Sequence, residues 1–287
     1  MSNFTFTRVV IVESLKDREF KSGDELRKYL DGFRDDRNDV PPVEFVKIGS
    51  AEEFKGLIDQ LVHEAHEKAD RPILHIETHG WGNATGIVFS DKSDINWNDL
   101  REILAPLNVA TEFNLVVCMA ACFGGHFVEE LRPGQTAPCM AVIGPSHVTD
   151  GPELLGRFRD FYRVLFDTLN ANDAVDALRS ARLTEGDFLT VTAIEWFSNT
   201  LIGYVEKSCT TDELERRARN IYDRIISEGK SVDYENVLAM GRTRVRSILD
   251  DYAAKFFAFH MLPKNRERFA ATIDAARNRI AALVKAQ

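Results

Sequence analysis

Cysteine is scarce in this chain. Cys118, Cys122, Cys139 and Cys209 are the only four, no pair has C-x-x-C spacing, and Cys118 and Cys139 sit inside apolar, strand-like runs. This argues against a disulfide framework and against a thiolate zinc site, and it leaves a thiol free for chemistry. Long apolar runs are also missing. The longest near the start, Val9–Val12, is far too short for a secretory h-region or a membrane span, so a cytoplasmic protein without membrane attachment is expected. No G-x-G-x-x-G is present and no Walker lysine follows Gly124-Gly125, so nucleotide binding is not expected. Internal repeats and low-complexity segments are absent as well.

The remainder is the composition of a globular protein. The 287 residues are 44% hydrophobic and 28% charged, enough for a full core and for two domains or one domain with an extension. Charge is unevenly spread: residues 1–205 carry 20 Lys and Arg against 33 Asp and Glu, whereas residues 206–287 carry 16 against 12. The halves therefore differ in sign, which favours two units with different partners. The acidic part is a poor nucleic-acid binder, and no nucleic-acid partner is expected. Its field favours a basic segment in any protein substrate.

Strand and helix signals alternate through residues 1–205. Thr7–Glu13, Val43–Ile48, Pro72–Thr78, Asn114–Ala121 and Cys139–Gly144 read as strands, with a small hairpin and a helix between the third and fourth. Ser22/Glu25 and Ser50/Glu53 have capping-box spacing, and Asp150 precedes Pro152 and Glu153 as a helix cap. Buried strands alternating with helices predict an α/β fold, a doubly wound and mostly parallel sheet flanked by helices. After residue 205 the pattern becomes helical, with Thr210/Glu213 boxing one helix, a longer stretch over about 232–262 ending at Pro263, and a last helix carrying Phe269, Ile273, Ala276 and Ile280. The expected organisation is a domain over 1–205 and a helical C-terminal appendage over 206–287.

In such sheets ligands bind at the carboxyl ends of the strands. Two strands here end in reactive residues, one in His79-Gly80 and one, 43 residues later, in Cys122-Phe123-Gly124-Gly125. A thiolate nucleophile is favoured by a nearby imidazole, which can later protonate a leaving amine. The oxyanion formed by attack on a carbonyl needs N–H donors, which the backbones of Gly80 and Cys122 could supply. A glycine at 80 keeps a side chain out of the substrate's way, and Gly124-Gly125 allow a sharp turn. Simpler roles are open to the other candidates. His75 reads as a core histidine. His126 could compete as base but is expected to point away. His63 and His66 lie off the apolar face of their helix, and no metal site is expected. Glu77 could orient His79, although a solvated or salt-bridged carboxylate is the commoner outcome.

His79-Gly80 at a strand end, followed by Ala121-Cys122-x-Gly124, resembles the caspase-type cysteine peptidases of clan CD, in which an A-C-x-G signature follows its histidine by about 50 residues. Ala141–Asp150, Phe161-Tyr162 and Ala177–Arg182 are similar to the bacterial CHAT-type branch. The resemblance covers about residues 5–205. It implies a caspase-like fold and a cysteine endopeptidase with His79 and Cys122 as its dyad and no cofactor. It puts Ser146, His147 and Asp150 on the substrate side. Relatives often act as latent effectors, so a regulator or substrate protein docking on the C-terminal helices is an expected partner. Ala120 and Ala121 stand where many members carry Gln, Asp or Ser, which leaves the P1 preference open. The short segment between Gly125 and Cys139 has no obvious loop for activating cleavage, so processing into two subunits is not expected. Two other classes stay open: a non-catalytic adaptor on the same fold, and an amidase or acyltransferase using the same dyad on a small substrate.

Overall fold

Near-continuous apolar strands need cover on both faces, and the chain supplies it by alternating strand and helix. The computed structural model describes residues 4–37, 39–130, 134–180 and 187–286. They group into two units, Met1–Glu130 with Ala137–Ala193, and Leu131–Thr136 with Ile194–Gln287.

In the first unit, β1 (Arg8–Glu13) leads into α1 (Ser22–Asp36), followed by β2 (Val43–Lys47), α2 (Ala51–Lys68) and β3 (Pro72–Glu77). Three short strands come next, β4 (His79–Gly80), β5 (Gly86–Val88) and β6 (Asp94–Asn96), then α3 (Trp97–Ala110) and β7 (Val116–Ala120). A 3₁₀ segment at Gly124–Glu130 precedes β8 (Ala141–Pro145), α4 (Gly151–Thr168), α5 (Ala171–Ser180) and β9 (Phe188–Thr192). The main sheet has the order β2-β1-β3-β7-β8-β9; the first five strands are parallel and β9 runs antiparallel to β8. This is the expected α/β architecture, with a mixed, mostly parallel sheet flanked by helices. The strand β9 is an addition to the sequence reading, and β4-β5-β6 form a separate antiparallel sheet.

Strand periodicity divides the buried residues between two faces. Val9, Ile11, Ile73, Val116, Cys118 and Ile143 share a core with Leu26 and Leu30 of α1, Phe158, Phe161, Tyr162 and Leu165 of α4, and Leu178 of α5. Val10, Val12, Leu74, Ile76, Val117 and Met119 alternate with them and are equally buried. Helices α2 and α3 pack together and bury Phe54, Ile58, Leu61, Leu100, Leu104 and Leu107.

Helix starts follow the sequence where the cap is local. Ser50 Oγ accepts from Glu53 N, and Glu53 Oε2 accepts from Gly49 N; Asp150 accepts from Glu153 N and Thr210 from Glu213 N. Ser22 departs from its expected cap. It lies inside α1, Lys21 stands at the cap position without a side-chain capping bond to the helix, and the Ser22 hydroxyl donates to buried Glu77 Oε2 at 2.6 Å. A buried carboxyl oxygen is costlier to leave unsatisfied than a helix N–H open to water, so the hydroxyl goes to the carboxyl.

The second unit is helical: α6 (Ala193–Ser208), α7 (Thr211–Ser227), α8 (Tyr234–Phe256), α9 (Asn265–Arg268) and α10 (Ala270–Ala286). Phe197 of α6 stacks on Tyr252 at 5.0 Å and packs against Phe256 and Phe257, and Phe257 stacks on Phe269 at 4.1 Å. These aromatic contacts draw α6 into this unit, so the division falls at Ala193, earlier than the compositional change at 205. The long helix expected to reach Pro263 stops at Phe256. Ala258 adopts a left-handed φ of 53°, and Asn265 Nδ2 donates to Phe257 O at 2.8 Å, which closes the helix end. Among the described residues no helix is long and apolar enough to cross a membrane.

Candidate active site

Parallel pairing of β3 with β7 brings His79-Gly80 and Cys122 to neighbouring strand ends. The register matches Glu77 with Ala120, and Thr78 N donates to Ala120 O at 3.4 Å. The chain then leaves the main sheet, with Thr78 Oγ1 donating to Val88 O at 2.6 Å, and continues into β4 beside β5. At this crossing the two backbones nearly touch. A Cβ built on Gly80 would fall 1.7 Å from the carbonyl oxygen of Cys122, so only glycine fits. To the expected reason for Gly80, space for a substrate, the fold adds a stricter one: room for the backbone of Cys122 itself.

The turn after Cys122 is equally tight. Phe123 has a left-handed φ of 59°, its N–H donates to His147 O at 3.1 Å, and Gly124 N donates to Ala121 O at 2.9 Å. A Cβ on Gly124 would lie 2.3 Å from Met119 Cγ, and one on Gly125 would lie 2.8 Å from Gly144 O. The turn therefore packs flush against β7 and β8 and holds the thiol at the strand end.

Cys122 is partly exposed. Its Sγ donates to Thr149 O at 3.4 Å and accepts from Thr149 N at 3.5 Å. The other three thiols are buried, and burial raises each one: Cys118 to about 12, with Cys139 and Cys209 also raised. The Cys122 N–H has no hydrogen-bond partner among the described residues. For Gly80 the ladder gives a similar result. Trp81 N bonds Gly86 O and His79 is opposite Val88, so those two pairs exchange the hydrogen bonds and Gly80, between them, turns its N–H away from β5. Two backbone donors thus stand at adjacent strand ends, one of which carries the partly exposed thiol of Cys122.

His79 is largely exposed, and its Nε2 lies 3.0 Å from Glu19 Oε2 on the loop between β1 and α1. It is not hydrogen-bonded to Cys122. Burial pushes the Glu19 carboxyl up, but hydrogen bonds from His79 and from the Lys16 N–H hold it below the usual glutamate range. His126 Nε2 lies 3.1 Å from Ser146 O, in the direction of β8. His63 and His66 are exposed on α2.

His75 and Glu77 depart from the simplest expectation for the carboxylate. Both are fully buried; His75 Nε2 meets Glu77 Oε1 at 3.0 Å and Nδ1 meets Tyr162 OH at 3.2 Å. Glu77 orients His75 and accepts from Ser22, and it makes no hydrogen bond to His79. Side chains two apart share a strand face, but His79 lies beyond the point where the chain leaves that strand.

The three substrate-side candidates have structural occupations. Ser146 N and Oγ both donate to Asp187 O, at 2.9 and 2.8 Å. Asp150 caps α4. His147 supplies its carbonyl to Phe123, packs its ring edge-on to Phe188 at 6.4 Å, and has both ring nitrogens buried with no hydrogen-bond partner among the described residues. Two residues that sequence reasoning did not single out, Glu19 and Thr149, make the contacts to the imidazole and the thiol. Arg182 and Ala181, part of the Ala177–Arg182 motif, lie outside the described residues. Among the described residues no cluster of three or more His, Cys, Asp or Glu could hold a metal ion. No protein-family model matches the chain, and no curated protein matches it.

Proposed function

We propose that the chain is a cysteine endopeptidase with a caspase-like first unit, using Cys122 as nucleophile and His79 as its acid–base partner. The observation that carries this reading is the apposition of Gly80 and Cys122: two strand ends so close that only glycine is admitted, with a partly exposed thiol and two backbone N–H groups beside it. In the proposed reaction His79 accepts the thiol proton and Cys122 Sγ attacks a peptide carbonyl. The Gly80 and Cys122 N–H groups hold the oxyanion. His79 then protonates the leaving amine, and water hydrolyses the thioester, regenerating the thiol.

The thiol bonds Thr149 and the imidazole bonds Glu19, an arrangement that fits a resting enzyme whose catalytic contact tightens when substrate or a partner binds. Phe20, Trp81 and Val148 are exposed apolar side chains on the segments that carry Glu19, Gly80 and Thr149, which suits a protein substrate better than a small amide. A regulator or substrate protein would dock on the C-terminal helices, and the setting would be the cytoplasm. The test is cleavage of a peptide library and of whole-proteome substrates by the parent and by Cys122→Ala. Cleavage lost in the variant supports a peptidase. Turnover of small amides alone favours the amidase reading, and tight partner binding that survives Cys122→Ala with no turnover favours the adaptor.

A further inference from the structure

Glu19 reaches His79 across 60 residues of sequence and is itself held in place. Its Oε2 accepts from His79 Nε2 at 3.0 Å and from the Lys16 N–H at 2.7 Å. Glu19 N donates back to Lys16 O at 2.9 Å, closing a tight turn. Lys21 Nζ braces the same loop by donating to Leu15 O and Lys16 O at 2.7 and 2.6 Å. Ser14 N ties the start of the loop to Glu77 O at 2.8 Å, and Phe20 lies against Gly151 at the head of α4. The carboxylate is therefore presented to the imidazole by a loop anchored at several points.

An ionised carboxylate can only accept hydrogen bonds. The ring nitrogen facing Glu19 must then carry the proton, so a neutral His79 has its lone pair on Nδ1, which is in no hydrogen bond among the described residues. An imidazole serving as a base needs this: one nitrogen fixed as donor by an orienting acceptor, and the other open to the nucleophile's proton. We propose that Glu19 is a positioning residue that fixes the tautomer and orientation of His79, making the dyad a three-membered relay of Glu19, His79 and Cys122. The proposal rests on the peptidase reading of His79 and Cys122.

The test uses the full chain with Glu19→Ala, Glu19→Gln and His79→Ala, and has two readouts. One is the His79 ring-nitrogen NMR signature, which reports the tautomer directly. The other is the rate of iodoacetamide alkylation at Cys122. In the parent the proton sits on Nε2. Glu19→Ala yields a mixture of tautomers and alkylation slower by about fivefold, the equivalent of about 1 kcal/mol for a partly exposed pair. Glu19→Gln restores the parent tautomer and most of the rate, because the Lys16 N–H still needs an acceptor and keeps the amide oxygen facing His79. An unchanged tautomer and rate in Glu19→Ala would overturn the proposal. Faster alkylation in that variant would also overturn it, by showing that Glu19 restrains the imidazole away from the thiol. His79→Ala separates the underlying reading: if Cys122 is alkylated as fast without the imidazole, the dyad itself fails, and the positioning role with it.

Discussion

His75 and His79 lie four residues apart, and each has a glutamate oxygen at 3.0 Å, yet their settings differ. The His75–Glu77 pair has side-chain exposures of 0% and 1%, and Tyr162 and Ser22 satisfy its remaining polar atoms. The His79–Glu19 pair has exposures of 47% and 30%, and one ring nitrogen is left over. At equal distance, burial decides what a pair does. The first ties β3 to α1 and α4 inside the core and has no route to a ligand. The second contributes little to stability but presents a solvent-exposed ring where the chain leaves the sheet.

The contrast can be broken most forcefully at the buried pair. His75→Leu roughly keeps the volume but leaves Glu77 Oε1 and the Tyr162 hydroxyl without their partner, and should cost about 3 kcal/mol in urea unfolding. His79→Ala should change that unfolding free energy by less than about 1 kcal/mol, yet slow peptide cleavage by about 100-fold or more. A large stability loss in His79→Ala with unchanged cleavage would reverse the two assignments. At the crossing between the histidine and the thiol, Gly80→Ala must push the Cys122 carbonyl aside, with an expected cost of about 2 kcal/mol and a loss of Cys122 reactivity in the same protein.

The smallest effects are pH-linked and of opposite sign. Glu19 is held below its ordinary value by His79 and Lys16, so its stabilising contact is present above about pH 4.3 and is lost as pH falls through the lowered value. Glu13 is buried at the end of β1, where desolvation outweighs its hydrogen bond from Asp24 N and raises its carboxyl. Its neutral form favours the native state at low pH, and that advantage disappears as pH rises through the raised value. Unfolding free energies from urea titrations should therefore show Glu13→Gln gaining on the parent from acid to neutral pH and Glu19→Gln losing, each by about 1 kcal/mol or less.

The parts of this arrangement that were legible in the sequence are those written locally. The strands announced themselves as apolar runs, and the caps at Ser50, Asp150 and Thr210 bond three residues ahead. The proximity of the His79 and Cys122 segments followed from two strand ends separated by one hairpin and one helix. What escaped depends on distant partners. The hydroxyl of Ser22 is claimed by Glu77, 55 residues away, and Thr149 meets the thiol from 27 residues away. Glu19 lies in a polar loop whose composition gives no sign of its target. Strand β9 has a β-branched signal in Phe188–Thr192, but it pairs antiparallel at the sheet edge, outside the alternation that revealed the others.

The central claim is that Cys122 and His79 form a working pair, and the most direct measurement is the iodoacetamide alkylation rate of each cysteine, mapped by mass spectrometry in the parent and in His79→Ala. Cys122 should react first near neutral pH, far ahead of Cys118, whose thiol burial raises to about 12, and of buried Cys139 and Cys209, and it should slow when His79 is removed. A Cys122 rate no greater than that of Cys139, or one unchanged by the loss of His79, would contradict the account.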